Sequence, residues 1–140
     1  MYLDHESGQQ AYNLDPEAGL YVTQRNGKAI HVDIPNECMA VQLGECTQIV
    51  TGGLLVATPH CVRGTRAKGI ARIANPYFID TAPDFPLSIP LGSSQKDIMS
   101  SSISAKVPEL SSRWTRNGMK FGDFLTETFS KYYIHSNTST

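Results

Sequence analysis

Several things are scarce in this sequence, and each scarcity excludes something. Only three of the 140 residues are cysteine, Cys38, Cys46 and Cys61. An odd count without a C-x-x-C pair argues against a disulfide framework and a cysteine zinc site, and favours a reducing compartment. Long apolar runs are missing: Leu54 to Ala57 is among the longest, far below the roughly 18 to 20 residues that span a bilayer. The N-terminus shows no basic stretch followed by an apolar one, so the expectation is a soluble, cytoplasmic protein without a membrane partner. Charge of one sign is not in excess either, with 12 Lys and Arg against 13 Asp and Glu and a formal net charge of -1. Four cations do cluster at Arg63, Arg66, Lys68 and Arg72, but no aromatic side chains interleave with them to stack bases, so a solvated loop is expected and no nucleic acid partner. What remains is ordinary: 40% hydrophobic and 18% charged residues, in a length that suits one domain with its own core.

The pattern along the chain is mainly β. Met1 to Asp4 reads as a strand running into a turn at His5 to Gln10, as if a sheet had been joined partway through. Leu20 to Thr23 and Ala29 to Ile34 are strand-like and flank Asn26-Gly27, a hairpin signal in which both central residues take positive φ. Cys38 to Leu43 reads as a further strand, Gly44 to Thr51 as a helical turn or a loop, and Gly52-Gly53 as a reversal. Leu54 to Ala57 suits a strand buried on both faces, and another strand runs from Ile70 to about Ile79. Short strands separated by turn signals suggest a sandwich or barrel of the jelly-roll kind. Ser93 to Ser112 holds eight serines and reads as a poorly ordered connection with a short helix near Lys96 to Ser100. From Phe121 to Ile134 an amphipathic helix is expected, because Phe121, Phe124, Leu125, Thr128, Phe129 and Tyr132 recur at three- and four-residue steps. That stripe most simply packs on the sheet. Asn137-Thr138-Ser139 matches a glycosylation acceptor by chance.

Two residues and one pair are candidates for chemistry. His60 closes the apolar run before it, where an imidazole must either find hydrogen-bond partners or bind something. Arg72 shares its strand face with Ile70 and Ala74, so it can point inward and grip an anion bidentately, or lie on the surface and pair with an acid such as Asp80 or Asp84. His31-Val32-Asp33 is an H-x-D pair that would complete, with His60, two imidazoles and a carboxylate, the ligand set of a non-heme ferrous oxygenase. Asp33, however, precedes a turn, and His31 lies on the polar side of the Ile30, Val32, Ile34 alternation, so the pair reads as coincidence.

Gly19-Leu20-Tyr21-Val22, Ile34-Pro35, Gln42-Leu43-Gly44-Glu45, Gln48-Ile49, Thr51-Gly52-Gly53 and Ala57 to Val62 together resemble the C-terminal half of the isopenicillin N synthase-like iron(II) and 2-oxoglutarate-dependent oxygenases. The resemblance runs from Gly19 to about Phe85, with an echo at Phe121 to Leu125. It implies a double-stranded β-helix, a jelly-roll variant, present here incompletely and followed by the C-terminal amphipathic helix. It matches His60 to the distal iron-binding histidine and Arg72 to the arginine of an R-x-S motif that holds the far carboxylate of 2-oxoglutarate. Ala74 stands where the motif has serine. Gly44 and Glu45 match a glycine-acid pair at a strand end. The family's own H-x-D precedes the region matching Met1 to Asp4, so the resemblance implies a C-terminal fragment, an incomplete gene model or a degenerate relative, inactive alone.

The implied cofactors are Fe(II) and 2-oxoglutarate, and the implied reaction couples cosubstrate decarboxylation to hydroxylation or desaturation of a small organic substrate. A non-catalytic β-barrel remnant that binds a carboxylate or a protein is the alternative, and a new metal site at His31 and Asp33 is a third reading. The expected organisation is a barrel part over 1–90, a serine-rich connection over 91–118, a helix over 119–134 and a frayed tail over 135–140. Open sheet edges are expected to favour self-association.

Overall fold

The computed structural model describes residues 1–12, 15–35, 37–99 and 107–137, the last four of these by backbone alone. Within them the chain is mainly small antiparallel sheets with few helices. No helix among the described residues is long and apolar enough to cross a membrane. Two compact units emerge, one from Met1–Ala40 with Pro59–Ile79, the other from Val41–Thr58 with Asp80–Thr140.

The first unit holds two three-stranded sheets. One has the order β2 (Gln10–Ala11), β1 (Tyr2–Asp4), β6 (Ile70–Arg72), and the other β4 (Ala29–Val32), β3 (Gly19–Thr23), β5 (His60–Arg63). The turn after β1 is built as its residues dictate: Asp4 accepts from both the backbone N–H and the hydroxyl of Ser7, each at 2.8 Å. The β3–β4 hairpin forms at Asn26-Gly27, but by a different turn than the expected one. Only Gly27 takes positive φ, +80°. Gly27 N–H donates to Gln24 O and Gln24 N–H to Lys28 O, each at 2.9 Å. This is a three-residue loop with glycine in the left-handed position, which spares Asn26 that conformation.

Three strand expectations fail. Cys38 to Leu43 forms no strand in the described residues, and the strand from Ile70 ends at Arg72 instead of near Ile79. Leu54 to Ala57 is turn and coil, with Leu54 80% exposed. The reason lies before it and within it. Gly52 and Gly53 both take positive φ, and Ala57 donates its N–H to the Gln48 side chain at 2.8 Å instead of to a neighbouring strand.

The second unit contains the core: Ile49, Leu87, Ile98, Leu110, Trp114, Met119, Phe121 and Phe124. Gly44 to Thr51 contains the short helix α1 (Glu45–Val50), and α2 (Gln95–Met99) lies close to the short helix expected near Lys96 to Ser100. A 3-10 turn at Leu110–Ser112 leads to Trp114, whose indole N–H donates to Leu87 O at 3.2 Å. Leu87 belongs to β7 (Pro86–Leu87), paired with β8 (Met119–Lys120). The segment read as a connection over 91–118 thus contributes Ile98, Leu110 and Trp114 to the core; its residues 100–106 lie outside the described ones, as do 138–140 of the tail. The expected helix is α3 (Phe121–Asn137). Its stripe divides, with Phe121 and Phe124 buried and Leu125 packed against the core, while Phe129 and Tyr132 are exposed.

Candidate carboxylate- and metal-binding site

Register places the two sequence candidates. His60 opens β5 opposite Val22. Residues directly opposed across antiparallel strands share a face, so His60 stands on one face with Leu20, Val22, Ile30, Val32 and Val62. The histidine therefore begins a strand instead of closing one, and it is exposed, not enclosed by a buried run. Arg72 ends β6 opposite Tyr2, sharing a face with Asp4, Ala11 and Ile70. It too is exposed, unlike the inward-pointing side chain that its small neighbours suggested. Ala74 lies beyond the end of the strand and is exposed. The structure thus sets His60 and Arg72 on consecutive strands of the same unit but in different sheets.

The H-x-D pair has another occupation. His31 is exposed on β4, as its place in the alternation predicts, and its ring stacks on Tyr21 with centroids 4.9 Å apart and planes 28° apart. It lies so close over Gly19 that a Cβ there would meet its Nε2 at 2.5 Å. Asp33 follows the end of the strand. The expected solvated basic loop is tied at two points: the Arg63 guanidinium pairs with Glu17, and Arg66 donates its backbone N–H to Asp15 at 2.9 Å. The Asp15 carboxyl sits below its ordinary value, chiefly because it accepts the backbone N–H groups of Arg66 and Glu17.

An iron(II) centre with open positions needs three ligands in a fixed arrangement. Among the described residues no three or more His, Cys, Asp or Glu side chains gather where they could hold a metal ion, and the neighbours of His60 on its sheet face are aliphatic. These residues on their own therefore do not fit such a centre. An exposed guanidinium beside a tyrosine, as at Arg72 and Tyr2, does suit a carboxylate.

One polar assembly was not foreseen. Arg113 is completely buried, and its guanidinium pairs bidentately with Glu45, at 2.6 Å for Nη2 to Oε1. Its Nε and Nη2 also donate to Pro108 O at 3.1 and 2.8 Å. The rings of Phe124 and Tyr132 each lie 5.8 Å from the guanidinium carbon. Glu45, expected to be a turn residue, is thus the counterion of a buried cation. Burial, and then the Glu45 charge, raises the Tyr132 phenol above its ordinary value, with Arg113 opposing. No local signal marks this pair, because its members are 68 residues apart. Comparison with models of protein families, with curated proteins and with solved structures finds no match.

Proposed function

We propose that this chain is a part of an iron(II)- and 2-oxoglutarate-dependent oxygenase of the isopenicillin N synthase-like kind, with Arg72 holding a carboxylate of 2-oxoglutarate and His60 serving as one iron ligand. The remaining iron ligands come from outside these 140 residues, and the small organic substrate is hydroxylated or desaturated. The observation that carries this reading is the nesting of the long-range strand pairs. β1 pairs with β6, and within that span β3 pairs with β5. Nested antiparallel pairing between an outgoing and a returning run of strands is how a jelly roll is laid down. His60 and Arg72 both fall on the returning run.

A second reading rests on the exposed Arg72 opposite Tyr2: a non-catalytic β module that binds a carboxylate through Arg72. Anaerobic titration of the chain with ferrous ion and 2-oxoglutarate separates the two. A charge-transfer absorption that disappears in both His60→Ala and Arg72→Ala supports the oxygenase part. Binding of 2-oxoglutarate without that absorption, lost in Arg72→Ala alone, supports the carboxylate module. Binding of neither refutes the carboxylate module, and a charge-transfer absorption unchanged in His60→Ala or in Arg72→Ala refutes the roles given to them in the oxygenase part.

A further inference from the structure

The outer edge of β4 offers a different activity, self-association. Antiparallel strands exchange hydrogen bonds at every second residue pair. The bond from Gln24 N–H to Lys28 O fixes the alternation, so Ile30 and Val32 direct their backbone groups to β3, opposite Val22 and Leu20. Ala29 and His31 direct theirs outward. β4 ends its sheet, no other described segment pairs with it, and Ala29, Ile30 and His31 are exposed. A row of outward N–H and C=O groups is a template for another strand.

Parity selects the strand that fits, because outward residues must meet outward residues. A second copy of β4, laid antiparallel with His31 opposite its own counterpart, satisfies this. Ala29 then faces Asp33 of the second copy, and Ile30 faces Val32. Ile30 and Val32 lie on the face that also carries Leu20, Val22 and Val62, so the apolar face continues across the junction. Antiparallel pairing also sets Asp33 opposite Ala29, so no like charges face each other across the junction, whereas in-register parallel pairing would set Lys28 beside Lys28 and Asp33 beside Asp33. The two-fold arrangement closes on itself and uses up both edges. Pro35, which lacks an N–H, and the turn before Lys28 confine the pairing to residues 29–33.

We propose that two copies of this chain associate through β4, antiparallel about His31, into one continuous sheet. Sedimentation velocity of the 140-residue chain over a concentration series is the test, and a concentration-dependent dimer is the expected result. His31→Pro deletes an outward N–H that β3 does not use and should abolish the dimer, whereas His31→Ala, which keeps that N–H, should retain it. Ala29→Asp alone should raise the dissociation constant roughly 3- to 10-fold, since it sets two carboxylates directly opposite each other on one face. The double exchange Ala29→Asp with Asp33→Lys should restore it, and this arm stands even where the proline variant does not fold. A monomer at every concentration reached, a dimer that persists in a folded His31→Pro chain, or a double exchange that restores nothing overturns the proposal.

Discussion

Removing Glu45 should leave a buried cation without its counterion. Arg113 has no exposed surface, while the Glu45 side chain is 27% exposed. In Glu45→Ala the guanidinium keeps Pro108 O and the rings of Phe124 and Tyr132 but loses both carboxylate oxygens. Truncating one partner of a buried ion pair costs about 3 to 5 kcal/mol. Solvent reaching the carboxylate's place from its exposed side moves the expectation to the lower end, about 3 kcal/mol. The chain contains one tryptophan, Trp114, adjacent to Arg113 and fully buried. Its fluorescence during urea unfolding therefore reports on the unit where the pair sits. A second arm isolates the interaction: Glu45→Leu with Arg113→Met should be less destabilising than the two single changes added together, because it removes both charges at once. A loss below about 1 kcal/mol in Glu45→Ala, or additive singles, would refute the view that this cation depends on Glu45.

Three further outcomes are expected. Burial, and next the Glu45 charge, pushes the Cys46 thiol up to about 11, while Cys38 and Cys61 are exposed. A thiol reagent at neutral pH should therefore modify Cys38 and Cys61 in the native chain and reach Cys46 only on unfolding, as peptide mapping would show. Asp97 accepts the Ser94 hydroxyl at 2.7 Å and the Ser94 N–H at 3.1 Å, and these bonds hold its carboxyl below the ordinary 3.8. Its contribution is present above pH 3.8 and is lost as pH falls through the lowered value, so Asp97→Asn should flatten the acid limb of a stability profile. Gly19→Ala should destabilise the first unit by about 1 to 3 kcal/mol, visible in thermal unfolding by circular dichroism, since φ is +146° and the new Cβ would meet the His31 ring.

Local features were readable in advance, and features that need a distant partner were not. The β3–β4 hairpin and α3 were legible because a turn signal and a helical period are complete within a few residues. Even there, the turn adopted the form that asks positive φ of Gly27 and not of Asn26. Leu54 to Ala57 misled because composition alone cannot show that the Gln48 amide takes the N–H of Ala57 and donates to Ile98 O at 2.6 Å. That one buried side chain replaces the ladder a strand would have used. For the candidate site, sequence put His60 at the close of the Leu54 to Ala57 run and Arg72 on the strand after it, whereas His60 opens β5, and it misjudged the enclosure of both. Exposure depends on what lies across the sheet, and no window of sequence contains that. Arg113 and Glu45 escaped notice for the same reason.

The nested strand order also imposes a schedule on folding. During synthesis β3 and β4 can close at once, in about 1 to 10 μs for a hairpin, but β1 must wait for its partner until Ile70 to Arg72 have been made. Between these events the chain produces α1 and the turn after it, which belong to the other unit, so the first unit is interrupted before it can be finished. At about 5 to 20 residues per second the wait lasts seconds. Until β5 is made, within that wait, the outward edge of β4 and the side of β3 reserved for β5 are open together. The vulnerable period of this protein is thus set by the order in which its strands are made.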